Sequence, residues 1–494
     1  MMLRRLIPLL LLLAAVIAAP IVLRQESALA TAGQGDDRLV IITPHNETIR
    51  SEFGEAFARY WKTKTGRSLY IDWRVPGGTS DIKRVVNSAY TAAEALHNPG
   101  IGIDLFFGGG EPDFNDQSKA GHLAELEVFT THPEWFKEEV IPSHFTGERY
   151  YDPARLWVGA CLSQMGICYN TDSLQRMGLR APKRWDDLGS PAYAGYVALA
   201  DPTKSGSVNR TYELMIQQQM QEVIREQGDT PAAREEGWKR GLNLLQRLAA
   251  NARYFTDSAA KVAQDVSQGD AIAGNCIDFY GRTYQEKLER QGKPSRLRWI
   301  APEGGTSLSA DPIAMLRGAP HPEIAQAFVT FCLSTEGQLL WDLKVGAPGG
   351  PHEASPRRLP IRRDLYTAAY LPGFADADAM PYASAGGLEY RKDLTGSAFS
   401  AISAIFRAMC MDPQDELKDA WKKIHAPGAN AGPAEAALFD ISHVSYARVM
   451  SEFVPLLSKK DPLANSREIA RISAVFRANY LRAAELATQG GGRP

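Results

Sequence analysis

Three times near its start the chain repeats one local grammar: an apolar run of strand length, a turn of small or polar residues, then apolar residues at helical spacing. RLVIITPHNE, from Arg38 to Glu47, leads to Ile49, Phe53, Phe57 and Tyr60 on one helical face. LYIDWRVPGGTSD, from Leu69 to Asp81, opens onto Ile82, Val85 and Val86. IDLFFGGGEPDF, from Ile103 to Phe114, is a strand of buried type ending in glycines. Strands alternating with helices predict a parallel sheet with crossover helices on its faces. In open sheets of that kind ligands collect beyond the carboxyl ends of the strands. His45 and Glu47, Gly78 and Thr79, and Gly109 and Gly110 stand at that edge and are the first candidate ligand-binding residues. Each has a plainer alternative: His45 as a turn residue, Thr79 and Asp81 as helix caps, the glycines as room for close packing.

The grammar returns after an extended apolar segment, LWVGACLSQMGICYN, in RWDDLGSPAYAGYVALADPTKSGS and again in QGDAIAGNCIDFYG. From LRWIAPEGGTSLSADPIAMLRGAP the pattern reads as a return to the first unit. A chain of 494 residues has room for such a division. The expectation is two α/β lobes with a hinged cleft: residues 37–172 as the first part of lobe 1, 173–295 as lobe 2, and 296–375 as the return segment of lobe 1. Residues 376–494 read as a helical extension packed on lobe 1, its last helix opened by an Asn465–Glu468 capping box.

The first thirty residues, MMLRRLIPLLLLLAAVIAAPIVLRQESALA, combine Arg4 and Arg5, an apolar run and a small-residue site at Ala28–Ala30. They predict a signal peptide over residues 1–30 or an uncleaved anchor over residues 6–23; both export the rest of the chain. Five cysteines show no CxxC spacing; a bridge involving Cys276 is one option and buried free thiols the other. A net charge of −2 with no basic stripe argues against a nucleic-acid partner.

ALADPTKSGSVNRTYELM, from Ala198 to Met215, carries the sharpest chemistry. A strand hands over to a helix through Ser205, Gly206 and Ser207. The first helical N–H groups lack intrahelical acceptors and the helix dipole favours negative charge, so such a turn can hold an anion. Ser207 as an ordinary N-cap is the alternative. No HExxH, GxSxG, Walker A or dinucleotide fingerprint is present, and no nucleophile–base pair can be drawn locally. An enzyme is therefore not expected, and neither is a cofactor. Reversible capture of a small polar solute is.

Together these segments resemble the exported solute-binding proteins of bacterial ABC importers, type II, in the branch that holds ferric-ion and sugar-phosphate binders. The similarity runs over about residues 38–370. It implies an α/β, two-lobed periplasmic-binding-protein type II fold, here with the helical C-terminal extension, in a monomer that delivers its solute to an inner-membrane permease. Ser205, Gly206 and Ser207 match the loop that holds an anion in relatives. Ferric binders of this branch use a histidine, a glutamate and two adjacent tyrosines. His45 matches the first, the glutamate position falls at Gly109 with Glu111 nearby, and the tyrosine pair falls on Phe279–Tyr280. An iron site would thus have to be His45, Glu111 and Tyr280, and two of the four matches are lost. Asp278 and Tyr280 are candidates to read hydroxyls, with packing between lobes as the alternative for Tyr280. Asp311 on the return segment is either ligand-facing or structural. The expected ligand is small and anionic or polyhydroxylated, with a phosphorylated compound included. A ferric binder and a sensor acting through a protein partner are the competing readings.

Overall fold

The computed structural model describes residues 35–290, 296–383, 387–459 and 461–489. The expected export segment lies outside them. Strand β1 (Asp37–Ile42) is followed by helix α1 (Glu47–Thr65), β2 (Leu69–Arg74), α2 (Thr79–Ala95), β3 (Leu105–Phe107) and α3 (Glu111–Lys119). β1 pairs in parallel with both β2 and β3, as the alternation of strand and helix requires. Successive β1 residues serve opposite faces: Leu39 and Ile41 join Phe53, Phe57 and Phe328, while Val40 and Ile42 join Ile82, Val86 and Phe114. Helices cover both faces, so the strand is apolar from Leu39 to Ile42 rather than alternating.

The strand β4 (Val158–Asn170) joins the lobes. It is followed by β5 (Val197–Ala200), α4 (Gly206–Gln227), α5 (Pro231–Asn251), β6 (Ala252–Thr256), α6 (Ala259–Gln268), β7 (Ala273–Ile277), α7 (Asp278–Arg290), β8 (Leu297–Ile300) and β9 (Leu308–Leu316). The ten-stranded sheet has the order β2-β1-β3-β9-β4-β7-β5-β6, with β8 added on β4 and the short strand Leu123–Ala124 added on β9. From Val158 to Gln164, β4 pairs with β9; from Met165 to Tyr169 it pairs with β7. One strand therefore belongs to lobe 1 at its start and to lobe 2 at its end. The change of partner lies inside β4 rather than at residue 172, because a single long strand can supply both sheets without a turn.

The C-terminal region carries its helices on lobe 2 rather than lobe 1, although Ala379 and Tyr382 near its start pack against the lobe 1 core. Its helices α8 (Phe399–Phe406), α9 (Gln414–Ile424), α10 (Ala431–Leu438) and α11 (Pro462–Thr488) share one continuous core with lobe 2. Tyr212 stacks on Phe406 with ring centroids 4.2 Å apart, and Gln246 Nε2 donates to Tyr480 Oη at 2.9 Å. The cause is α4, which is buried along most of its length although it carries Asn209, Arg210, Glu213 and Gln217 to Gln219. Buried polar side chains need partners, and the C-terminal region supplies several. The last helix begins at Pro462 rather than at Asn465, because Asp461 Oδ1 accepts from the N–H groups of Leu463 and Ala464. All five cysteines are buried free thiols, so the Cys276 bridge does not form.

Candidate functional site

The carboxyl ends of the strands in both lobes open onto one cavity of about 640 Å³. Of the sequence candidates, His45, Gly78, Thr79, Gly109, Gly110, Ser205, Gly206, Ser207, Tyr280 and Asp311 line it. Glu47 does not: it is exposed at the first turn of α1, where Asn46 caps the helix by accepting from Ile49 N–H at 3.1 Å. Asp278 does not either. It begins α7, is fully buried, and faces Arg282 of its own helix at 3.5 Å. Burial raises its pKa against the opposing pull of Arg282 and Arg358.

The N-terminal turns of five helices line this cavity: α7, which begins with Asp278, and four that follow a small residue. From lobe 1 come α2, after Gly78, and α3, after Gly110; from lobe 2 come α4, after Ser205, and α6, after Ser258. The lobe 1 ends carry their own acids. Asp81 Oδ2 accepts from Gly78 N–H at 3.2 Å, and Glu111 and Asp113 sit in the first turn of α3. The first turns of α4 and α6 contain no acid. In the Ser205–Ser207 turn the two hydroxyls lie 3.1 Å apart, and Ser205 Oγ accepts from Val208 N–H at 3.4 Å, a long cap bond. Lys204 and Arg210 flank this turn in the cavity wall.

The lobes touch at these ends. A Cβ on Gly78 would lie 2.9 Å from Lys204 O, and one on Gly206 would lie 3.2 Å from Asp113 Oδ2. Asp113 of lobe 1 thus fronts the acid-free end of α4. It is buried and its pKa is raised by desolvation, while Lys83 at 3.2 Å opposes the rise.

The opposite wall holds a charged cluster. Asp311 pairs with Arg358, lies 3.5 Å from His45 Nε2, and accepts from Gly109 N–H at 2.5 Å. Burial pushes its pKa up, but Arg358, His45 and the Gly109 amide outweigh that and hold it below the usual carboxylate value. Burial lowers the pKa of His45, so the imidazole is neutral near pH 7. Gly109 has φ 143°, and a Cβ there would meet Thr79 Cγ2 at 2.8 Å, so only glycine allows its amide to reach Asp311. The Arg358 guanidinium lies 4.6 Å from the centroid of Phe279.

His45, Glu111 and Tyr280 share this cavity, yet each faces a partner inside the protein. His45 meets Asp311, Glu111 lies 3.6 Å from Lys392, and Tyr280 packs on Phe279 with its pKa pushed up to about 12 by burial. The cation beside Asp311 and His45 is Arg358, which opposes a second, metallic charge in that place. Sequence reading missed Arg358, Lys204, Arg210, Asp113 and the Ser258 end of α6. Only Ser258, a cap residue ahead of AAKVAQDVSQ, carried a local signal.

A family model described as bacterial extracellular solute-binding protein matches residues 103–365. An uncharacterized protein of Haemophilus influenzae is 27% identical over 270 residues, which cover 53% of this chain and 67% of that protein. The phosphoglycerate transport regulatory protein PgtC of Salmonella typhimurium is 25% identical over 272 residues, covering 54% of this chain but only 57% of the relative. Among solved structures, the apo ferric ion-binding protein A of Pasteurella haemolytica superimposes with a TM-score of 0.51 at 14% identity, over 77% of this chain and 98% of that one. That likeness extends to the fold. A two-lobed sheet with an interlobe cavity and a family match over more than half the chain lead to one conclusion: this chain belongs to the bacterial extracellular solute-binding proteins.

Proposed function

We propose that the chain is the solute-binding component of an ABC importer, which captures a small phosphorylated, polyhydroxylated solute between its lobes and passes it to a membrane permease. The observation that carries the reading is the pair of acid-free helix ends, α4 and α6, converging with the Ser205 and Ser207 hydroxyls on one interlobe cavity. Helix N-termini of this kind offer unpaired N–H donors and a favourable dipole to an anion. The remaining walls suit a hydroxylated body: Asp311, Ser163 and Ser309 offer polar atoms, and Met165, Ile277 and Phe279 offer apolar surface. The role carried in the name of the Salmonella relative, phosphoglycerate transport, agrees with a phosphorylated solute. Its description as a regulatory protein supports a second reading, a sensor using the same cleft to signal through a partner. Transport energy would come from a separate ATPase, since no nucleotide-binding loop occurs in this sequence.

A thermal-shift screen of the purified protein tests this. Sugar phosphates and phosphoglycerates are set against the parent polyols, a diamine and ferric citrate. A ligand at about 1,000 times its dissociation constant adds about 4 kcal/mol of stability, which raises the melting temperature by several degrees. A shift with phosphorylated compounds and none with their parent polyols is the expected result. A shift confined to the diamine or to ferric citrate overturns the reading.

A further inference from the structure

The segment from Leu388 to Phe399 leads into the C-terminal helices, beyond the residues matched by the family model. It touches both lobes beside the cavity. On lobe 1, Tyr390 N–H donates to Thr146 O at 2.8 Å, in the hairpin formed by His144–Phe145 and Glu148–Arg149. Contact there is tight enough that a Cβ on Gly147 would fall 2.1 Å from Tyr390 O. Lys392 Nζ lies 3.6 Å from Glu111, at the start of α3. On lobe 2, Tyr390 Oη donates to Glu213 at 3.0 Å, and Gln217 both accepts from Arg391 N–H and donates to Arg391 O, each at 2.9 Å. Thr395 Oγ1 donates to Glu213 at 2.7 Å, and Asn209 Nδ2 donates to Phe399 O at 2.7 Å.

Between the lobes these contacts close around Arg210. This arginine of lobe 2 pairs with Glu148 of lobe 1 at 2.5 Å, and the Tyr390 ring lies 3.5 Å from its guanidinium. Leu388 and Tyr390 also complete a small apolar cluster with Met165 of β4, Leu214 and Phe279, next to the point where β4 changes lobes. Phe399 lines the cavity itself.

We propose that Leu388–Phe399 is a strap across one flank of the cleft: it ties lobe 1 to lobe 2, limits how far the lobes open, and contributes Phe399 to the wall of the solute site. Only the role of Phe399 rests on the reading of the cavity as a solute site. Hinge opening separates the hairpin and α3 from α4, and the strap is bonded to all three. It must therefore release one lobe before the cleft can open widely. The denser bonding to α4 makes the lobe 1 contacts at Thr146 and Glu111 the ones that release.

Interlobe distances measured by electron–electron double resonance, with spin labels at Lys62→Cys on lobe 1 and Gln268→Cys on lobe 2, test the strap without any solute. The unmodified strap should give a narrow distribution. Lys392→Glu, an exposed substitution that sets like charges at Glu111, and Tyr390→Ala should give a broader and longer one. If Tyr390→Ala does not fold, Lys392→Glu decides alone. Distances unchanged in the folded variants overturn the strap. Titration calorimetry with inorganic phosphate tests the wall, and Phe399→Ala should weaken binding about fivefold. Equal affinity removes Phe399 from the site. Should the parent protein itself bind no phosphate, that failure falls on the proposed function, and the distance measurement still judges the strap.

Discussion

The two sides of the cleft are built alike and charged differently. Each lobe presents two helix N-termini to the cavity after a turn of small residues. In lobe 1 those ends are filled by Asp81, Glu111 and Asp113, and in lobe 2 the ends at Ser205 and Ser258 hold no acid in their first turns. The N–H groups of an isolated helix end are satisfied equally well by a carboxylate of its own or by a bound anion. Lobe 1 uses the first solution and lobe 2 keeps the second open. A lobe 1 carboxylate, Asp113, stands against one of those lobe 2 helix ends. On the proposed reading, the charge in the first turn, rather than the shared fold grammar, marks which helix end takes the solute.

Copying the lobe 1 solution into lobe 2 tests this most severely. Ser207→Asp places an acid in the first turn of α4. A carboxylate about 4 Å from a bound anion costs about 4 kcal/mol at the effective dielectric of a protein surface. Even with screening, affinity for inorganic phosphate should fall about 100-fold or more. The same acid favours the solute-free helix by about 0.3–1 kcal/mol, so binding and stability should move in opposite directions. Calorimetry and denaturant titration on one variant read both. Equal affinity would show that the α4 end is not where the anion sits.

Removing the hydroxyls is gentler. Ser205→Ala with Ser207→Ala leaves the α4 amides in place and should weaken phosphate about tenfold, or about 1.4 kcal/mol. Loss of the cap should cost about 0.5 kcal/mol of stability, at the low end for N-caps because the Ser205 bond is long. Asp113→Asn tests the other side. With the carboxylate that fronts Gly206 neutralised, phosphate should bind about fivefold more tightly, close to 1 kcal/mol. Lys83 keeps Asp116 as a partner at 2.7 Å, so the substitution leaves no unpaired cation. A loss of affinity instead would mean that Asp113 positions the solute rather than competing with it.

The lobe 2 end was legible in the sequence and much of the opposite wall was not, for physical reasons. Ser205, Gly206 and Ser207 are contiguous, and a strand, a turn and a helix start can be read within twenty residues. The parallel units of lobe 1 were legible for the same reason, since each is a local pattern, an apolar run of strand length passing into period 3.6. The Asp311–Arg358–His45 cluster joins three separate segments, His45 lying more than 250 residues from the other two, and nothing within SPRRLP marks Arg358 as a cavity residue. Likewise Glu47 looked like its neighbour His45, but the first turn of α1 carries its side chain out to solvent. The placement of the C-terminal helices depended on Gln217 and Asn209 being buried on α4. Their polar side chains disguised a helix that is covered along most of its surface.

The smallest effect concerns that opposite wall. Burial holds His45 neutral in the native protein, whereas the unfolded chain takes up a proton near the ordinary histidine value of 6.5. A group whose pKa is lower in the folded state favours folding above the unfolded value and loses that advantage as pH falls, because the unfolded state then binds more protons. As pH falls from about 8 through 6.5 this group should remove stability progressively. Asp311 works in the same direction but lower in pH: its pKa is held below 3.8, so its contribution is lost only in stronger acid. His443, in the C-terminal helical region, has its pKa lowered to about 4 by burial and adds to the same trend. Denaturant titrations at several pH values should therefore show stability falling on acidification in the parent protein. His45→Gln should remove part of the slope between about pH 8 and about pH 6 and leave the share of His443. An unchanged slope in His45→Gln would mean that its pKa is not lowered, and a steeper one that the imidazole is already protonated against Asp311. The wall facing the lobe 2 helix ends would then carry one more positive charge, and the contrast between the two sides of the cleft would shrink accordingly.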